Sequence, residues 1–244
     1  MNTEHLPTKA YKYMKEKWLK KLEATHSIRI TPLKDYSETI YGSEIGDDFE
    51  GKSRTNIAVD DLTIEAQSQT SKEKEILNSH RIHIRDKATI TFENSNFITD
   101  NIDNNYFVYC VSLERKPNIQ RAFGSGLQTI YNFPQFFKHL EAELAKSGIV
   151  FHDAGECVYL PKREQKYHFK DLTEREGETL IHKPYFVKDK RYEYQREFRL
   201  IWKFADNRQI KWPFMTANLD VASLHYKTEV LKPATQKKKK KRVR

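Results

Sequence analysis

Tyr192-Glu-Tyr-Gln-Arg-Glu-Phe-Arg-Leu-Ile-Trp-Lys-Phe204 is the stretch on which the reading of the fold turns. Its even positions (Tyr192, Tyr194, Arg196, Phe198, Leu200, Trp202, Phe204) are mostly apolar, and its odd positions (Glu193, Gln195, Glu197, Arg199, Ile201, Lys203) are mostly polar. That alternation predicts a β-strand with one buried face. On a strand, Gln195 and Glu197 project together, about 6.5–7 Å apart at their Cα atoms. Rings at Tyr185, Phe186 and Tyr192 precede the pair in a basic segment, which suggests a ligand nearby. The plain alternative is a solvated outer face.

Outward from this strand, Tyr106–Leu113 is almost uninterruptedly apolar and predicts a central strand covered on both faces. Lys9–Tyr13 and Ile28–Leu33 read as short strands around an amphipathic helix, Met14–His26, with Met14, Trp18, Leu19 and Leu22 on its core stripe. Ile57–Glu65, Arg81–Arg85 and Ala88–Phe92 read as an antiparallel region, and Asn94–Asn105 as a polar loop. A helix is expected from Pro134 through Lys146, with Gly148 as its stop. Gly148–Leu160 reads as a strand pair or one long strand, and Ile210–Met215 as the strand returning antiparallel to Tyr192–Phe204. The class expected is α+β, with mixed, mainly antiparallel sheets and flanking helices. The chain divides into a single domain over 1–232 and a disordered tail over 233–244.

That tail holds most of the charge excess. Lys237, Lys238, Lys239, Lys240, Lys241, Arg242 and Arg244 are seven of the 43 cations, so the rest of the chain is nearly balanced against 34 acids. Such a block repels itself and has no apolar surface to bury. Clustered cations release counterions on phosphate binding, so a nucleic acid is the expected partner. A solubilising role or an acidic protein partner is the alternative. No stretch of about 18 apolar residues and no leader peptide is recognised, and two cysteines without an extracellular spacing argue for a cytoplasmic protein with no membrane partner.

Motifs for other chemistries are thin. Gly42, Gly46, Asp47, Asp48, Glu50 and Gly51 form an acidic turn without the calcium-loop spacing. His80 and His83 lack the further ligands of a zinc site, so no resident metal is expected. Gly124-Ser125-Gly126 is a glycine turn that could approach a ligand but is not a phosphate loop.

Gln195-Arg196-Glu197 resembles the Gln-x-Glu signature of one branch of the ADP-ribosyltransferases, where an aromatic, here Tyr192, lies three residues ahead of the glutamine. The resemblance implies NAD as co-substrate, with Glu197 anchoring its ribose and stabilising the oxocarbenium ion, and Gln195 positioning the acceptor. It further implies Ser112 at a strand end beside the NAD, and Tyr13 or Arg29, with Lys12 as another candidate, where the family carries an early-strand arginine. The order of Lys9–Tyr13, helix, Ile28–Pro32, acidic turn, Val108–Ser112 and Tyr194–Trp202 is also similar to an uncharacterised bacterial family found near phage-defence genes, without its Asn-Asp-Pro.

The expected function is accordingly an NAD-dependent mono-ADP-ribosyltransferase, a toxin or antiviral effector, with nucleic acid as an acceptor and an antitoxin or chaperone as a further partner. Two alternatives stand beside it. One is a metal-dependent nuclease using Asp47, Asp48, Glu50 and Glu193 or Glu197; the other is a non-catalytic nucleic-acid or partner-binding protein.

Overall fold

The computed structural model describes residues 5–36, 38–43, 46–172, 174–175, 178–179 and 182–232. The polybasic residues Lys237–Arg244 lie outside the described residues. The chain is mixed, with mainly antiparallel sheets and few helices, and it resolves into two compact units. Unit 1 comprises 1–48, 105–157 and 192–244; unit 2 comprises 49–104 and 158–191.

Unit 1 is built on β1 (Ala10–Met14), α1 (Glu16–Thr25), β2 (Ser27–Pro32) and α2 (Glu38–Tyr41). It continues with β5 (Phe107–Ser112), α4 (Pro117–Phe123), β6 (Gly126–Ile130), α5 (Phe133–Ala145) and β7 (Ile149–Glu156), and ends with β13 (Glu197–Phe204), β14 (Met215–Asn218) and β15 (Tyr226–Val230). Strand β5 is the middle of the sheet. Along one edge it pairs antiparallel with the whole of β13, from Glu197 opposite Ser112 to Trp202 opposite Phe107, and β13 pairs onward with β7. Its other edge forks: β2 takes the beginning, with Thr31 opposite Val108, and β1 takes the end, with Tyr11 opposite Ser112. β14 extends the first branch; β6 and β15 extend the second.

The reason for a central β13 is its even-numbered face. Phe198, Leu200, Trp202 and Phe204 pack with Phe107, Tyr109 and Val111 of β5 against Phe133, Phe136, Phe137, Leu140 and Leu144 of α5. Alternation places these groups on one side, and the four-residue spacing of α5 presents a matching stripe. The opposite face is not solvated, since Glu197, Arg199 and Ile201 are also buried.

Unit 2 contains β3 (Lys52–Glu65), α3 (Ser71–Ser79), β4 (Thr89–Ile102), β8 (Val158–Leu160), β9 (Glu164–His168), the two-residue strands β10 (Glu174–Arg175) and β11 (Glu178–Thr179), and β12 (Val187–Asp189). Antiparallel β3 and β4 and parallel β9 make its main sheet. Its own core is Ile57, Val59, Ile76, Phe97 and Leu172.

Several expectations change. The strand at 192–204 begins only at Glu197. Lys190–Gln195 is a 3-10 helix, and Arg196 takes a left-handed φ of 44° that turns the chain into β13. Gln195 and Glu197 are therefore not strand neighbours on one face. Asn94–Asn105 is mostly strand, because the long β3 supplies hydrogen-bond partners to polar residues that have no apolar pattern of their own. Arg81–Arg85 is not a strand; the local element is α3, opened by a reciprocal capping box between Thr70 and Glu73. Met215–Asn218 pairs with β2, not with β13. Trp18 lies outside the core stripe of α1, where Leu19 and Leu22 are the buried residues.

Candidate active site

At the fork, neither β1 nor β2 covers the middle of β5, and strand carbonyls there need another donor. Lys12 supplies one: its Nζ donates to the Cys110 carbonyl at 2.7 Å and sits 4.5 Å from the centre of the Tyr109 ring. The residue retains some surface, but its ammonium lies deep among protein atoms. Burial lowers its pKa, partly opposed by Cys110 and by the negative charge of Glu197.

A cleft of about 330 Å³ opens in this fork, lined by Lys12, Met14, Trp18, Lys21 and Leu22 on one side, by Ser27, Ile28, Arg29, Thr31 and Tyr36 on the other, and by Tyr109, Phe214 and Thr216. Its size falls at the lower end of small-molecule sites. Three cations and four aromatic rings line it without a carboxylate. The Arg29 guanidinium contacts two of those rings, Trp18 at 5.0 Å and Phe214 at 4.0 Å from their centres. The wall as a whole is complementary to an anion carrying planar rings.

Glu197 and Ser112 are register partners on β13 and β5, on the face opposite Tyr109, and Tyr11 is the partner of Ser112 on β1. Three residues from distant parts of the sequence are thus level across three adjacent strands. Glu197 is only 6 % exposed, and its Oε1 accepts from the Arg199 Nε at 2.7 Å. Such a pair, both members withdrawn from water, fixes the carboxylate in place. Neither Glu197 nor Ser112 lines the cleft.

The remaining expected residues take other positions. The Ser112 Oγ donates to the Glu114 carbonyl at 2.9 Å and accepts the Glu114 amide at 3.2 Å, a local turn closing β5. Gln195 is buried, with Nε2 3.5 Å from the Tyr194 hydroxyl. Tyr192 is buried as well, its hydroxyl donating to the Gly46 carbonyl at 2.6 Å, so it anchors the acidic turn. Arg29 lines the cleft, whereas Tyr13 does not: its hydroxyl accepts the Lys116 amide at 3.0 Å on the far side of β1. Gly124 and Gly126 approach protein, not ligand. A Cβ on Gly126 would lie 2.9 Å from the Leu19 Cβ.

The acids of the nuclease alternative have partners of their own. Asp48 Oδ1 accepts the Glu38 amide, and buried Glu50 pairs with buried Lys188 at 3.3 Å. Among the described residues no three His, Cys, Asp or Glu groups converge as a metal site, and no helix is long and apolar enough to cross a membrane.

Trp18 and Phe214 carry no functional signal in the sequence, since a tryptophan on a helix stripe and an aromatic beside a proline both have the pattern of packing residues. No family model, curated protein or solved structure matches the chain.

Proposed function

We propose that the protein is an NAD-dependent mono-ADP-ribosyltransferase. The observation that carries the reading is the buried Glu197 carboxylate, held by Arg199 level with Ser112 on neighbouring central strands; a separate cationic and aromatic cleft lies in the fork of the same sheet. NAD brings a good leaving group: its N-glycosidic bond breaks, nicotinamide departs with the bonding electrons, and the anomeric carbon becomes cationic. A fixed carboxylate stabilises that charge as it develops, and Glu197 is the one held at this level of the sheet, with Arg199 preventing its rotation. An acceptor oxygen or nitrogen then attacks the anomeric carbon and loses its proton. Lys12, Lys21 and Arg29 offer charge to the diphosphate, and the rings offer stacking surfaces.

The test uses purified full-length protein and NAD labelled in its adenylate phosphate, with RNA, DNA and protein offered as acceptors, in the presence of EDTA. Label transfer by the wild type is expected to survive the chelator. Glu197→Gln keeps an acceptor oxygen for Arg199 and is expected to lower transfer on the order of 10²–10³-fold, with an unchanged circular dichroism spectrum. Equal transfer by the variant, or neither transfer nor nicotinamide release by the wild type, rejects the reading.

A further inference from the structure

Three large aromatic side chains stay exposed around the outer edge of β2 and β14: Trp18 at 39 %, Phe214 at 37 % and Trp212 at 52 %. Exposed rings of this size cost solvation and generally mark an interaction surface when they cluster. Here Trp18 and Phe214 share Arg29, Trp212 stands two residues from Phe214, and cations accompany all three. Lys17 lies 5.1 Å and Lys21 6.0 Å from the Trp18 ring, Arg29 bridges Trp18 to Phe214, and Arg208 sits 5.9 Å from Trp212. Lys211 adjoins Trp212 and is exposed. The acid paired within this group is Asp206, with Arg208 at 3.7 Å.

The segment bearing Trp212 and Phe214 is pinned at one point. Ile210 is buried in the core; its amide donates to Asn105 Oδ1 at 2.9 Å, and its carbonyl accepts from Lys34 Nζ at 2.6 Å. Trp212 further packs edge-on against buried Phe204, with ring centres 5.7 Å apart. The rings are consequently presented from a braced segment, which reduces the ordering a partner must supply.

We infer that this face is a binding platform for single-stranded nucleic acid, with bases stacking on Trp18, Phe214 and Trp212 and phosphates meeting Lys17, Lys21, Arg29, Lys211 and Arg208. Alternating ring and cation is the composition that strand binding requires, because an unpaired base exposes its π face and its backbone carries one charge per nucleotide. A duplex hides those faces, and an acidic peptide offers charge without planar rings. Trp18, Lys21, Arg29 and Phe214 also line the cleft assigned above to NAD, so strand and dinucleotide are expected to compete there, and the binding is measured without NAD.

The test measures binding of fluorescein-labelled U12 and T12 to the full chain without NAD, by anisotropy and by tryptophan emission. The chain has three tryptophans, and Trp202 is fully buried, so emission changes on strand binding report Trp18 and Trp212. Quenching is expected on binding, and Trp18→Ala and Trp212→Ala are each expected to weaken binding at least about fivefold. Both side chains are exposed enough that their removal leaves folding intact, to be checked by circular dichroism. Unquenched emission with unchanged affinity in both variants would assign all binding to the tail and overturn the platform. Equal competition by the matching duplex or by poly-glutamate would overturn it too. Strand binding without label transfer would remove the transferase alone, and label transfer without strand binding would remove the platform alone.

Discussion

The most consequential single contact is the pair between Glu197 and Arg199. Both side chains are nearly inaccessible, so removing one takes a charge-assisted contact from a charge that stays buried. Arg199→Leu is expected to cost about 3–5 kcal/mol of unfolding free energy, read from urea denaturation followed by circular dichroism. Glu197→Gln should cost less, since the amide oxygen still accepts from Arg199. Tyr226 shows the opposite economy: its hydroxyl is buried without a protein hydrogen-bond partner, and burial, helped by Asp220 and Glu23, pushes its pKa up to about 12. Because the folded state prefers the neutral phenol, its contribution to stability is complete below the ordinary tyrosine value of about 10 and is lost as pH rises through 12. Tyr109, Tyr13 and Tyr167 are raised in the same direction by burial, and Lys12, lowered by burial, opposes them. Stability should therefore fall from about pH 10 upward. Tyr226→Phe should flatten that fall and be neutral or stabilising at pH 7, as a series of urea midpoints from pH 7 to 11 would show.

Among the elements, β6 and α1 pack as closely as backbone allows. Gly126 begins β6 directly under α1, where an added Cβ would meet Leu19 Cβ at 2.9 Å and the Met14 carbonyl at 3.0 Å. Gly126→Ala is expected to destabilise by about 1–3 kcal/mol through overpacking, measured as a lowered urea midpoint. A shift of α1 would carry Trp18 and Lys21 with it, so the same variant should also weaken binding of a strand to the platform. The main elements of unit 1 were legible because their periodicities are strong: the apolar alternation of Phe198–Phe204, the continuous run of β5 and the four-residue stripe of α5 each name their own partner face. β4 was not, because residues 94–102 are polar on both sides and owe their extended form to pairing with β3. The 3-10 helix at Lys190–Gln195 was hidden for a related reason. Tyr192 and Gln195 alternate with polar neighbours as a strand would, yet Tyr192 is buried by reaching the Gly46 carbonyl, a partner that alternation does not specify.

For the whole molecule, two compact units with separate cores imply two sources of stability. All three tryptophans belong to unit 1, whereas far-ultraviolet circular dichroism reads both units. Phe97 lies in the core of unit 2, edge-on to Phe92 and His80, and Phe97→Ala is expected to remove about 3–5 kcal/mol there. In that variant the circular dichroism transition in urea should begin before the tryptophan transition. Coincident curves would show that the two units unfold as one.

The amino-acid sequence by itself determined the mixed, mainly antiparallel class, the two central strands of unit 1 and their shared core with α5, because each depends on local pattern. Tertiary structure alone decided that β5 has a forked edge, that Lys12 closes it, and that Glu197 stands level with Ser112 while bound to Arg199. It also decided that Trp18 and Phe214 share one arginine. These are pairings between segments separated by tens to nearly two hundred residues; no periodicity encodes which strand takes which half of β5, since that choice is made by the packing of all its neighbours together.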